Sequence, residues 1–206
     1  MAFRIADSFT DSLTKLPAEA QAAAKTAAFD LQLTPAQPGR PAETPADAAD
    51  PAFRLIRADD GVALVVHQQG EDVLLCHAAR HADAEAWARR HHLATHPTTG
   101  AAQLVAVPEP PGELADLGGG HEEPEYPPLF TGLRDRDLLA VGVPHGWLPR
   151  VRRATMGDFF ALAQHLPDEA GEALLTYLAD GTLPKPKSAP AADPFAHPDA
   201  QRRFRA

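Results

Sequence analysis

Five of the chain's ten histidines fall in one run, HAARHADAEAWARRHHLATH, from His77 to His96. His77 and His81 stand four apart, as do His92 and His96, a spacing that lets two imidazoles share a metal ion on a helix. Zinc requires a third and a fourth ligand. Cys76, beside His77, would point to the opposite side of a strand, and both pairs straddle expected helix ends. The expectation is no metal and no cofactor: the histidines are surface residues, with His91 covering the edge of a core.

Two basic clusters invite a second chemistry, contact with a phosphate backbone. Arg89 and Arg90 precede His91 and His92, and Arg150, Arg152 and Arg153 form another group. A solvated helix face is the commoner use of such residues. Trp87 and Trp147 are most simply core anchors, because stacking on nucleic acid needs an exposed ring. Of the net charge of −9, residues 107–128 contribute six acids and no base, while 1–106 hold 9 basic and 13 acidic side chains and 129–206 hold 10 and 9. Such a chain lacks the basic field of nonspecific nucleic-acid binding, so contact with single-stranded DNA or RNA is expected to be weak. The single Cys76 rules out a disulfide framework and suits a reducing compartment. Asp7 and Asp11 interrupt any leader-like run, and no stretch approaches the ~18 apolar residues of a membrane span. The expectation is a soluble cytoplasmic protein with no membrane partner.

The elements that must carry these residues follow from periodicity. Phe3 and Ile5 alternate as in a short strand. A helix capped by Asp7 or Ser8 places Phe9, Leu13 and Leu16 on one face, and a second runs from Pro17 to about Leu33. TPAQPGRPAETPADAADP reads as a loop. FRLIR (Phe53–Arg57), VALVVH (Val62–His67) and DVLLCH (Asp72–His77), separated by ADDG and QQGE, form a meander. A helix beginning at Asp83 aligns Ala84, Trp87, Ala88 and His91. Residues 107–128 are an acidic Pro/Gly linker by composition. Residues 129–181 read as short helices, with starts at Thr155 and Pro167, an end at Gly181, and a core including Leu138, Trp147, Phe159, Leu174 and Leu175. The tail, 182–206, is polar and Pro-rich, the composition of a disordered segment. The expected fold is α+β, a small antiparallel sheet with a helix pair and a closing helix over 1–106, followed by a small all-α domain over 129–181.

The order strand, helix pair, meander, helix, with SFTDSLTKLP (8–17) and HADAEAWARRHHLATHPTTGA (81–101), resembles the RelE/ParE toxin fold. More narrowly it is similar to the N-terminal region of bacterial UvrD-like superfamily 1 DNA helicases, a likeness that DPAFRLIR (50–57), LFTGLRDRDLLAVGVPHGWLPRVR (129–152), LPDEAGEALLTYLADG (166–181) and DAQRRF (199–204) extend along most of the chain. The resemblance implies a noncatalytic accessory module in DNA repair or replication, with the helicase motor or another repair protein as partner. The chain carries no G-x-x-x-x-G-K-[ST] and so no phosphate-cradling loop for ATP. A RelE-type ribonuclease, the alternative, would place cations and proton carriers around a scissile phosphate. The candidates are Arg54, Arg57, Arg80 and His81. Arg54 and Arg57, three apart, face opposite sides of a regular strand. Where the relatives carry an aromatic–Arg pair and a Tyr, this chain has Asp60–Gly61–Val62–Ala63 and Glu85. A third reading is a degenerate toxin fold that only binds protein.

Overall fold

A computed structural model describes residues 2–34, 40–59, 61–108, 127–185 and 193–205. Asp60 and most of the acidic segment read as a linker (109–126) lie outside the described residues. In chain order the elements are β1 (Phe3–Ala6), α1 (Asp7–Thr14), α2 (Ala18–Leu33), β2 (Ala42–Glu43), β3 (Phe53–Arg57), β4 (Val62–Gln69), β5 (Asp72–Arg80) and α3 (His81–Arg90). They continue with β6 (His91–Thr95), β7 (Ala102–Ala106), α4 (Asp135–Ala140), a 3-10 turn at His145–Trp147, α5 (Leu148–Arg153), α6 (Met156–Ala163), α7 (Asp168–Asp180), α8 (Pro198–Arg203) and β8 (Phe204–Arg205). The chain is α+β and divides into two compact units, Met1–His92 with Gln201–Ala206, and Leu93–Ala200. Among the described residues, no helix is long and apolar enough to cross a membrane.

The first unit is built on a sheet ordered β2-β3-β4-β5-β1-β8. The meander β3-β4-β5 is antiparallel, and β1 runs parallel to β5, with Phe3 opposite Val73 and Ile5 opposite Leu75. One face carries Ile56, Leu64, Val73 and Leu75, which pack with Phe9 of α1 and with Ala24, Ala27 and Leu31 of α2. The alanines of α2 let its backbone approach the sheet closely, and a longer apolar residue, Leu31, fills the space near its end. α3 packs on β4 and β5, burying Ala84 and Ala88.

A β-bulge between these strands decides which face a functional side chain reaches. Val65 pairs with His77 and Val66 with Leu75, so Cys76 is left over. The extra residue shifts the alternation by one position. Without it His77 would share the α1–α2 face with Val73 and Leu75; with it, His77 stacks on Trp87 of α3. The disrupted ladder is repaired by α1: Ser8 Oγ donates to the Cys76 carbonyl (2.7 Å), and the Ala78 amide donates to Ser12 Oγ (2.9 Å). Two hydroxyls one helical turn apart thus satisfy the backbone groups the bulge displaces. The Cys76 thiol is fully buried, and burial pushes its pKa above the ordinary value, which disfavours the thiolate.

Several expectations require correction. The 34–51 loop contains β2, whose Ala42 and Glu43 pair with Ile56 and Leu55. α3 starts at His81 rather than Asp83, directly from the end of β5. His91 is not part of the helix: it is an extended C-cap (φ −133°, ψ 153°). Its Nδ1 bonds the Trp87 carbonyl at 2.9 Å, the acceptor that its own amide would use if the helix continued. The tail forms α8 and β8 in its described part, because Ala200 and Phe204 are buried there.

The second unit joins the two-stranded sheet β6-β7 to the helices. Its core holds Val105, Phe130, Leu138, Val143, Trp147, Val151, Phe159 and Leu174. Helices 129–181 therefore do not pack alone: Val105 of β7 belongs to their core, and the Trp147 indole donates to the Ala106 carbonyl at 2.8 Å. The expected boundaries follow their chemistry. Thr155 and Asp158 cap α6 reciprocally, Pro167 precedes α7, and Gly181 ends it with φ +72°. Leu175, expected in the core, is 44% exposed, because Ala170, Leu174 and Leu178 already line the inward face of α7.

Candidate functional site

The residues named for phosphate chemistry divide sharply. Arg57, at the end of β3, and His81, at the start of α3, converge on one carboxylate, that of Glu43 in β2. Arg57 Nε donates to Glu43 Oε1 at 2.9 Å, and His81 Nε2 lies 3.4 Å from Oε2. The hydrogen bond from Arg57, with a smaller contribution from His81, holds the Glu43 carboxyl below its ordinary range. A phosphate approaching Arg57 and His81 would have to displace this carboxylate or sit beside its negative charge. Arg54 belongs to another environment. Its guanidinium folds back onto the Pro51 and Phe53 carbonyls (2.8 and 2.6 Å), and strand alternation sets it on the face opposite Arg57. Arg80, the N-cap of α3, is exposed.

The expected nucleic-acid contacts are also partly engaged. Arg89 and Arg90 are exposed in the last turn of α3. Arg150 lies 5.3 Å over the Trp147 ring, Arg152 Nε pairs with Asp135 at 2.8 Å, and Arg153 Nε donates to the Pro149 carbonyl at 3.2 Å. Trp147 is 3% exposed, and Trp87 is covered on both ring faces, so neither offers a surface for base stacking.

The expectation that the histidines are surface residues requires correction: His67, His96 and His197 are buried, and the histidines sort into structural environments that spacing alone does not reveal. His67 of β4 meets Asp50 at 3.5 Å, both side chains nearly buried, and its ring stands edge-on to Phe53. Burial lowers the His67 pKa and the Asp50 charge opposes that shift. His77 and His91 flank Trp87. His96, 4% exposed, accepts the Thr98 and Thr99 amides at Nδ1 (3.0 and 3.1 Å), which pins the turn between β6 and β7. In the same unit Gln103 of β7 donates to Glu169 of α7. Among the described residues, no group of three or more His, Cys, Asp or Glu side chains could hold a metal ion.

Glu43, Asp50, His67, Gln103 and Glu169 were missed from sequence. Only Asp50, an acid beside a Pro in a loop, carried even a turn signal, and it gave no hint of a histidine partner. The arrangement defines an α+β protein in which two of the named cations, Arg57 and His81, meet one carboxylate, that of Glu43, on the edge strand β2. No family model, curated protein or solved structure matches the chain.

Proposed function

We propose that the chain is a noncatalytic accessory module, RelE-like in its first unit, that serves a UvrD-like DNA helicase as an interaction or positioning element in repair or replication. The single observation that carries the noncatalytic part is Glu43, which occupies the two candidate cationic groups that share a location. Transition-state stabilisation at a phosphate needs preorganised positive charge directed at the developing anion, and here that charge is already answered. The order strand, helix pair, meander and helix supports the RelE-like reading. The helicase association rests on the sequence resemblance.

One observation favours the toxin-like endoribonuclease as a second reading: Arg57 and His81 do meet. The experiment incubates the full chain with ribosome-associated mRNA and, separately, measures its binding to a purified UvrD-like motor from the same genome. The expected result is intact RNA with both the native chain and Glu43→Gln, together with saturable binding to the motor. Cleavage that disappears in the Arg57→Ala/His81→Ala variant would overturn the proposal in favour of a ribonuclease. Intact RNA without motor binding would overturn the helicase association and leave a toxin-like fold used only for binding another protein.

A further inference from the structure

α3 ends on a stack of three rings. Trp87 lies between His77 of β5, at 4.9 Å and 6° between planes, and His91, at 4.1 Å and 8°. His91 Nδ1 is 2.9 Å from the Trp87 carbonyl oxygen. A carbonyl only accepts, so Nδ1 carries the hydrogen, and a second proton on this ring resides at Nε2 without disturbing that bond. The charged ring then rests on an indole face, which attracts cations, and at a helix C-terminus, where the dipole favours positive charge.

His77 is built to refuse the same proton. Its Nδ1 is buried with no hydrogen-bond partner, so nothing there accepts from a protonated ring. Burial, then the charge on His91, then Lys15 push its pKa down to about 4. Among the described residues, further charged groups near the stack include Arg89 and Arg90 in the last turn of α3, and the His67–Asp50 pair across Phe53, whose ring touches both His67 and Trp87. The two arginines oppose a further cation at the helix end, but they are exposed and screened by water and salt.

We propose that the His77–Trp87–His91 stack is a one-proton acid sensor at the end of α3: a proton taken up by His91 tightens the last turn of the helix, and its loss loosens that turn. The inference is independent of the function proposed above. It uses no residue of the Glu43–Arg57–His81 cluster and stands whether or not a helicase is the partner.

The test follows the full chain by NMR, titrating the histidine ring protons and measuring amide hydrogen exchange at Ala88, Arg89 and Arg90. After correction for intrinsic exchange, protection of these amides should be about two- to fivefold greater near pH 5 than near pH 8, the range of a charge–dipole contact at a helix end. As the pH falls, the His91 ring signal should move before that of His77. His91→Gln, which cannot titrate, should abolish the pH dependence. Equal protection at both pH values, a dependence that survives in His91→Gln, or protonation of His77 first would each overturn the proposal. Should His91→Gln fail to fold, the order of the two ring titrations in the native chain decides alone.

Discussion

Gly142 offers the sharpest test of how the second unit is packed. It follows α4 with φ +94°, a conformation that L side chains rarely adopt. A Cβ placed there would lie 2.9 Å from His96 Cδ2 and Nε2 and 3.1 Å from Glu169 Cγ. The imidazole cannot swing away cheaply, because two backbone amides hold its Nδ1 and the residue is 4% exposed. Glu169 is likewise engaged by Gln103. Gly142→Ala therefore incurs a backbone term of about 1–2 kcal/mol and an overpacking term of about 1–3 kcal/mol. The expected loss is about 2–5 kcal/mol, a large share of the ~5–15 kcal/mol typical of a domain. Gly181→Ala is the internal control: its φ is +72° but no atom lies within 4 Å of the added carbon, so the backbone term acts alone. Urea unfolding, followed by the near-UV signal of Trp147, should give a midpoint for Gly142→Ala well below that of Gly181→Ala. Equal midpoints would refute the steric argument and show that His96 and Glu169 yield freely.

Three further outcomes follow from the same geometry. Ser12→Ala removes the acceptor of the buried Ala78 amide and should destabilise the first unit by about 1–3 kcal/mol in urea unfolding; Ser8→Ala leaves only a carbonyl under-satisfied and should cost less. His77 makes the first unit acid-labile: its folded pKa, about 4, is lower than the 6.5 of an unperturbed histidine, so its contribution is complete above about pH 6.5 and is lost as the pH falls toward 4. At 1.36 kcal/mol per pH unit this amounts to about 3 kcal/mol, and His77→Phe should flatten the stability–pH curve in that window. Trp147→Phe deletes the indole bond to Ala106 and should cost about 1–3 kcal/mol, read as a lowered midpoint for the second unit.

The parts of the fold legible in the sequence were those set by repetition. Phe9 and Leu13 repeat at helical spacing, Thr155 with Asp158 caps α6, and ADDG and QQGE interrupt three apolar runs; each signal is local and each element formed there. α1 nevertheless begins at Asp7 with Ala6 as its N-cap, so neither Asp7 nor Ser8 caps it, and Ser8 instead bonds the Cys76 carbonyl. What was missed depends on partners distant in sequence. HHLAT and AQLVA are short and mixed in polarity, so β6 and β7 are specified by each other and by the helical core rather than by their own pattern. The bulge at Cys76 leaves no trace in DVLLCH, yet it changes the face that His77 reaches. Glu43 was hidden for a related reason. It lies in a Pro-rich stretch with no periodicity, and only two ladder pairs carry it to Arg57 and His81.

Counting basic residues also overstates the positive charge a nucleic acid would meet. Arg57 is answered by Glu43, Arg152 by Asp135, and Arg40 by Asp30, while Arg54 and Arg153 spend donors on nearby carbonyls. Each phosphate contact steepens the fall of log K with log salt by about 0.9 for duplex DNA and about 0.7 for a single strand. Exposed Arg80 and Arg89 lie outside these pairings, so a labelled single strand that met only these two would show, from low to physiological salt, a slope of magnitude about 1.4. A slope that steepens in Glu43→Gln relative to the native chain would mean that Glu43 withholds Arg57 from phosphate. Glu43 would then be a gate rather than a neutralising partner, and Glu43→Gln should strengthen binding at low salt.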